Sequence, residues 1–262
     1  MMNYAASANL IKRKPIAFER IAYHGCLSVS ILSVAYLLMT FVTGKSWFPY
    51  MHVASSPSEL TLSLLQCILG AAALFLPLLL KKITKIKMPD TLCTSFYLFI
   101  LGATVLGEVF TLYYRVPCWD SILHFSSGIM TGMLGSLIIL DFLQRKKCSQ
   151  LITPVVVAIS AACFALCVGV IWEIYEFAAD SLLGLNMQKF LLQDGTALIG
   201  KAALWDTMKD LFVDFAGALV AAICAHSSIK KQQGWLYGYM ETTPVNAPRK
   251  LLPQSEVYPL AS

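Results

Sequence analysis

Residues Trp119–Lys147 read WDSILHFSSGIMTGMLGSLIILDFLQRKK. An aromatic–acidic edge, Trp119-Asp120, opens this stretch and a basic edge, Arg145-Lys146-Lys147, closes it. The run between them, Ile122–Leu143, has the length that crosses a bilayer as one helix, about 20 residues. Tryptophan favours the membrane–water interface, and basic residues mark the cytoplasmic side. The stretch therefore reads as one transmembrane helix with an orientation.

Five more runs have the same character: Ile21–Val42, Leu60–Leu80, Thr91–Leu112, Thr153–Ala179 and Leu211–Ser227. The 262 residues are 57% hydrophobic and only 13% charged, where a soluble domain carries about a quarter charged residues. The mean hydropathy is +0.66. The expected fold is all-α, a polytopic bundle of six transmembrane helices over residues 1–229, followed by a disordered cytoplasmic tail over 230–262 that carries Pro244, Pro248, Pro253 and Pro259. The first apolar run is too long for a signal-peptide core, and no small-residue cleavage site follows it, so it reads as a permanent span.

The net charge of +5 is a topology signal and implies no nucleic-acid partner. Lys12, Arg13, Lys14 and Arg20 precede the first span. Lys81, Lys82, Lys85 and Lys87 fill the second connection, and Lys230, Lys231, Arg249 and Lys250 follow the last span. The first and third connections hold only Lys45 and Arg115. This alternation predicts both termini in the cytoplasm, in a multi-pass protein of the cell membrane. The fifth connection, about Asp180–Lys209, then lies outside. Its apolar clusters, split at Gln193-Asp194-Gly195-Thr196, suit an interfacial or re-entrant lid. The eight cysteines lie mostly inside spans and form no CxxC pair, which argues against a disulfide framework or a thiolate zinc site.

With that topology, acidic residues gather at one membrane face. Glu108 lies about a turn from the outer end of the third span, and Arg115 follows. The fourth opens with Asp120, His124 and Ser127, at spacings that share a helix face. Glu173, Glu176 and Asp180 close the fifth within an arc of roughly 60°. Asp206, Asp210 and Asp214 open the sixth, four apart, just before Gly217. Ionisable residues inside spans are expensive and mark function by default.

Such crowding needs a counter-charge, because packed carboxylates repel. A hard divalent ion such as Mg²⁺, Mn²⁺ or Ca²⁺ suits the donor set. Zinc would need His124 plus carboxylates, since none of the other three histidines belongs to the group. The expected ligands are Asp120, Glu176, Asp206, Asp210 and Asp214. His124 and Glu173 are the expected catalytic pair, and Arg115 and Glu108 the substrate-binding pair. Plainer roles compete: Asp120 as a helix cap, Asp206 and Asp210 as partners of a helix N-terminus, Arg115 as a snorkelling anchor. Gly128, Gly132 and Gly135 read most simply as a packing seam.

Tyr113-Tyr114-Arg115, Trp119-Asp120, Leu123-His124-Phe125-Ser126-Ser127-Gly128, Trp172-Glu173-Ile174-Tyr175-Glu176-Phe177 and Asp206-Thr207-Met208-Lys209-Asp210-Leu211 together resemble the YjdF-like family of bacterial inner-membrane proteins. The resemblance spans roughly Glu108 to Ala218. It implies the membrane class and shared motif residues and carries no reaction with it. The order Asp-x-x-x-His-Phe, acidic helix end, Asp-x-x-x-Asp is also loosely similar to VanZ-type membrane proteins.

Two functional classes follow. One is a metal-dependent enzyme acting, among membrane lipids, on a lipid or lipid-linked phosphate at the outer leaflet. The other is a cation- or proton-coupled transporter using Glu108, Glu173 and Asp214. A non-enzymatic envelope factor is the third option.

Overall fold

The computed structural model describes residues 17–45, 47, 57–192 and 195–242. Six helical stretches are long and apolar enough to cross a membrane: Phe18–Thr43, Leu60–Thr84, Asp90–Val109, Trp119–Arg145, Pro154–Leu183 and Lys201–Lys231. They are built from α1 (Ala17–Thr43), α2 (Pro57–Ala73), α3 (Leu76–Thr84), α4 (Asp90–Leu101), α6 (Trp119–Arg145), α7 (Pro154–Leu183) and α8 (Lys201–Lys231), with the short α5 (Leu112–Arg115) between the third and fourth. A last helix, α9 (Gly234–Thr242), follows. Among the described residues there is no strand, only an isolated antiparallel bridge between Leu191 and Ala197.

Local chemistry explains where the spans break. The second divides at Leu74–Phe75 because Pro77 sits in the first turn of α3, where it lacks an N–H and clashes with a preceding carbonyl. The third leaves α-geometry at Gly102–Val109, a π-helical segment in which Phe110 N–H reaches back to Val105 O at 3.0 Å. Trp119 Nε1 donates to the Gly102 carbonyl at 3.3 Å, the kind of side-chain insertion that disturbs a helical ladder. Thr111, at φ +59°, then ends the segment.

The three helices α6, α7 and α8 pack up-down-up into a core through small residues, with α7 antiparallel to the other two. Along α7, Ala161, Ala165 and Gly169 recur four apart on one buried face; on α8, Gly217, Ala221 and Ala225 do the same. At the crossing of α6 and α8 the backbones touch. A Cβ on Gly128 would run into the Asp214 carbonyl oxygen and lie 3.1 Å from Ala218 N. Helices in lipid gain no hydrophobic drive from each other, so close packing of small residues must hold them. The seam expected at Gly128, Gly132 and Gly135 is this contact: Gly132 faces Ala221 and Gly135 faces Phe164.

The bundle has a basic end and an acidic end. At the basic end Lys81 pairs with Glu19 at 2.8 Å, and Arg145 Nε with Asp141 at 2.6 Å. There α9 docks on the core, with Leu236 fully buried and Gln144 Nε2 donating to Met240 O at 2.9 Å. The expected disorder from residue 230 is therefore corrected over 234–242; Leu236 and Tyr239 supply the apolar anchors that hold this short helix. Residues 243–262, like the first basic cluster at 12–14, lie outside the described residues.

The sixth span also differs, beginning at Lys201 rather than Leu211. Gly200, at φ +60° and ψ −127°, takes a backbone conformation suited to glycine and opens the helix there. The inward positions that follow include Asp206, Thr207, Asp210 and Asp214, so the helix starts before its apolar run does. The fifth connection shortens to Gly184–Gly200 as a result.

Candidate functional site

The acidic end is assembled by the start of α6, the end of α7 and the first half of α8. Asp206, Asp210 and Asp214 lie well inside α8 and not at its N-terminus. The α6 N-cap is Cys118 with no side-chain capping bond. Helix capping therefore accounts for neither group. Asp210 and Asp214 are each 2% exposed, and Glu173, Glu176 and His124 are buried. Removing that many polar groups from solvent demands partners.

His124 is the pivot. Its Nδ1 lies 3.2 Å from Asp214 Oδ2, and Ser127 Oγ donates to Asp214 Oδ1 at 2.9 Å. Both Asp214 oxygens are thereby engaged, which orients the imidazole with Nε2 facing Asp120 Oδ1 at 3.7 Å and Asp210 Oδ2 at 3.9 Å. Those separations are too long for direct hydrogen bonds. Yet one ligand atom each from Asp120, His124 and Asp210 all lie within 4.8 Å of one another. An ion about 2.0–2.2 Å from each donor would need spacings on the order of 3–4.5 Å. A histidine whose far nitrogen is held by a carboxylate is also how metal-binding imidazoles are commonly fixed.

Two buried carboxylates remain under-satisfied. Asp210 Oδ1 stands 3.2 Å from Lys209 Nζ but outside hydrogen-bond geometry. Both Glu173 oxygens are buried without a hydrogen bond, although the Thr207 hydroxyl lies alongside. Buried polar atoms left this way ask for an explanation, and an ion is one. Glu176 is better served, accepting from Trp172 Nε1 at 2.9 Å. Asp180 turns out to be structural: its two oxygens accept the backbone N–H groups of Met187 and Gln188 at 2.7 and 3.0 Å, fixing the start of the fifth connection.

Sequence reasoning missed the site's own cations. Lys189, from the fifth connection, bonds Asp120 Oδ2 and reaches Asp206 Oδ2 at 3.0 Å. Lys209 reaches Asp206 at 3.1 Å and Asp210 at 3.2 Å. Burial alone would disfavour the Lys189 ammonium, but Asp120 and then Asp206 outweigh it and hold its pKa above the ordinary lysine value. Six carboxylates (Asp120, Glu173, Glu176, Asp206, Asp210, Asp214) thus share one region with two lysines and one imidazole. Both lysines sit in a segment whose charges balance in sequence, so nothing there singled them out.

Tyr113 was quoted only as part of a motif, and it too belongs here. Its ring lies over Gly107, where a Cβ would come within 2.9 Å of Cδ2 and Cζ. Burial, with Glu108, Asp120, Glu176 and Asp210 around it, pushes its phenol well above the usual range. Glu108, expected with Arg115 to bind substrate, lies on the π-helical segment of the third span at the edge of the cluster. It accepts a hydrogen bond from Ser63 Oγ on α2 at 3.2 Å and feels the charge of Asp120. Arg115 is exposed at the end of α5.

Fold and site together define a multi-pass helical membrane protein with a buried acidic–histidine cluster at one end of its bundle. The chain belongs to the DUF2238 family of predicted membrane proteins, whose family profile covers residues 29–231. It is also similar to an uncharacterised protein of Thermotoga maritima, 31% identical over 153 residues, covering 56% of this chain and 68% of that protein. No solved structure matches it significantly. The family match agrees with the membrane class implied by the resemblance to YjdF-like proteins. The likeness to VanZ-type proteins finds no support.

Proposed function

We propose that the acidic end binds a divalent cation through Asp120, His124 and Asp210, and that the protein is a metal-dependent enzyme acting on a lipid or lipid-linked phosphate. The observation that carries this reading is the posture of His124. A buried carboxylate holds its Nδ1, leaving Nε2 and two carboxylate oxygens around a gap of cation size. A bound ion would supply Lewis acidity or a water of lowered pKa. Among the chain's own groups, Glu173, buried beside the Thr207 hydroxyl, is a carboxylate suited to holding a proton. Lys189 and Lys209 are the basic groups that touch the ligands, and they join Arg115 as partners for a substrate phosphate. By the positive-inside rule, the alternating basic clusters support a reading in which this end faces the non-cytoplasmic side of a bacterial cytoplasmic membrane.

A second reading, cation- or proton-coupled transport, draws on Glu108. This acid lies on a π-helical segment within a span, and such segments recur at functional sites.

The test is Mn²⁺ binding by purified protein in nanodiscs, with Asp210→Asn as the control, followed by release of inorganic phosphate from lipid phosphates. Wild-type binding that Asp210→Asn abolishes supports the site. Binding without turnover favours transport, and no binding by the wild type overturns the metal reading.

A further inference from the structure

Asp120 faces two partners at once. Its Oδ1 faces His124 Nε2 across the gap, and its Oδ2 is bonded by the Lys189 ammonium. Lys189 also bridges to Asp206, at 3.0 Å from Oδ2 and 3.3 Å from Oδ1. A positive charge therefore already stands against one of the three ligand side chains. A divalent ion accepted by Asp120 would repel that ammonium and compete with it for the same carboxylate.

The two site lysines differ in how they can respond. Lys209 is rooted in α8, one residue from Asp210, so its backbone is held by the helix and only its side chain can move. Lys189 sits on a short non-helical segment, Gly184–Leu192, anchored by the buried Leu185 side chain and otherwise by polar contacts. Asp180 holds the Met187 and Gln188 N–H groups. Gln188 Nε2 donates to the Thr207 hydroxyl at 2.9 Å, and Asn186 clamps Leu191 by both its N–H and C=O at 2.9 Å. Lys189 itself has φ +51°, in the left-handed region that a non-glycine residue rarely occupies. Strain of this kind persists where surrounding contacts over-determine it, and the strongest contact available to Lys189 is its carboxylate pair.

We propose that Lys189 is a built-in counter-cation, which neutralises Asp120 and Asp206 in the cation-free protein and is displaced, with the Gly184–Leu192 segment, when a divalent ion enters. This rests on the metal reading above. The displaced ammonium becomes free beside the occupied site, and the segment that carried it opens access from the aqueous side. Cation entry and access to the site are thus coupled through one side chain, as expected when two ligands share a single carboxylate.

The experiment measures Mn²⁺ affinity of the full chain in nanodiscs for wild type, Lys189→Met, Lys189→Arg and Asp210→Asn. Hydrogen exchange of the 184–192 segment is followed in parallel. Removing the competing charge should tighten Mn²⁺ binding at least tenfold in Lys189→Met, whereas Lys189→Arg, which keeps the charge, should stay near wild type. Exchange in the segment should rise on adding Mn²⁺ to wild type and be high in Lys189→Met without it. Binding seen in Lys189→Met alone also supports the proposal. Equal or weaker binding by Lys189→Met, with wild type binding and Asp210→Asn not, overturns the counter-cation and leaves the metal site standing. Failure of wild type and Lys189→Met alike to bind Mn²⁺ overturns both.

Discussion

Gly169 on α7 sits directly behind Asp214, and replacing it with alanine reaches the site without touching a ligand. A Cβ there would lie 2.6 Å from Asp214 Oδ2, the oxygen that faces His124 Nδ1, and 3.1 Å from Asp214 Cγ. The α8 backbone cannot move far, because it meets α6 at Gly128 and Gly217. The Asp214 carboxylate must therefore swing away. It loses a charge-assisted hydrogen bond worth about 1.5–3 kcal/mol, while alanine in a helix interior returns about 0.8–1 kcal/mol over glycine. The net loss of stability should be about 0.5–2 kcal/mol. The effect on Mn²⁺ should be much larger, because an imidazole no longer held at Nδ1 binds metal roughly 10–100-fold more weakly. Thermal melting and Mn²⁺ titration of Gly169→Ala in nanodiscs measure both quantities. Gly25→Ala on α1, where a Cβ meets nothing within 4 Å, is the control and should be neutral or slightly stabilising. Wild-type Mn²⁺ affinity in Gly169→Ala would refute the view that Asp214 positions His124 for a cation.

Two further predictions concern the scaffold and its orientation. Gly128→Ala should lower stability by about 1–3 kcal/mol, because the obstructing atoms are the Asp214 carbonyl oxygen and the Ala218 nitrogen, both backbone; an unchanged melting midpoint would contradict the close crossing of α6 and α8. Cysteine placed at Leu192, in a background lacking the four exposed native cysteines Cys118, Cys163, Cys167 and Cys224, should react with an impermeant reagent added outside the cell. Cysteine at Lys85 should not, and the reverse pattern would move the whole acidic end to the cytoplasm.

Hydropathy and charge, read along the chain, were enough to determine the membrane class, the six spans and the helices that carry the acids. The reason is that lipid imposes a one-dimensional rule: each span must be long, apolar and internally hydrogen-bonded. Helical periodicity then put Asp120 with His124, and Asp206 with Asp210 and Asp214, on shared faces, because those spacings are local. That rule weakens where apolar runs and helices part company. The polar inward face of Lys201–Asp210 hid ten residues of the sixth span, and Leu236 and Tyr239 gave α9 an anchor that a proline-rich tail does not advertise. Only the tertiary structure decided which nitrogen of His124 is held and by what. It brought Lys189 across 69 residues of chain to Asp120, set Glu108 on Ser63, and left Asp210 and Glu173 under-satisfied. Those outcomes depend on how closely three helices approach, and the approach is governed by glycines whose importance lies in the side chain they lack.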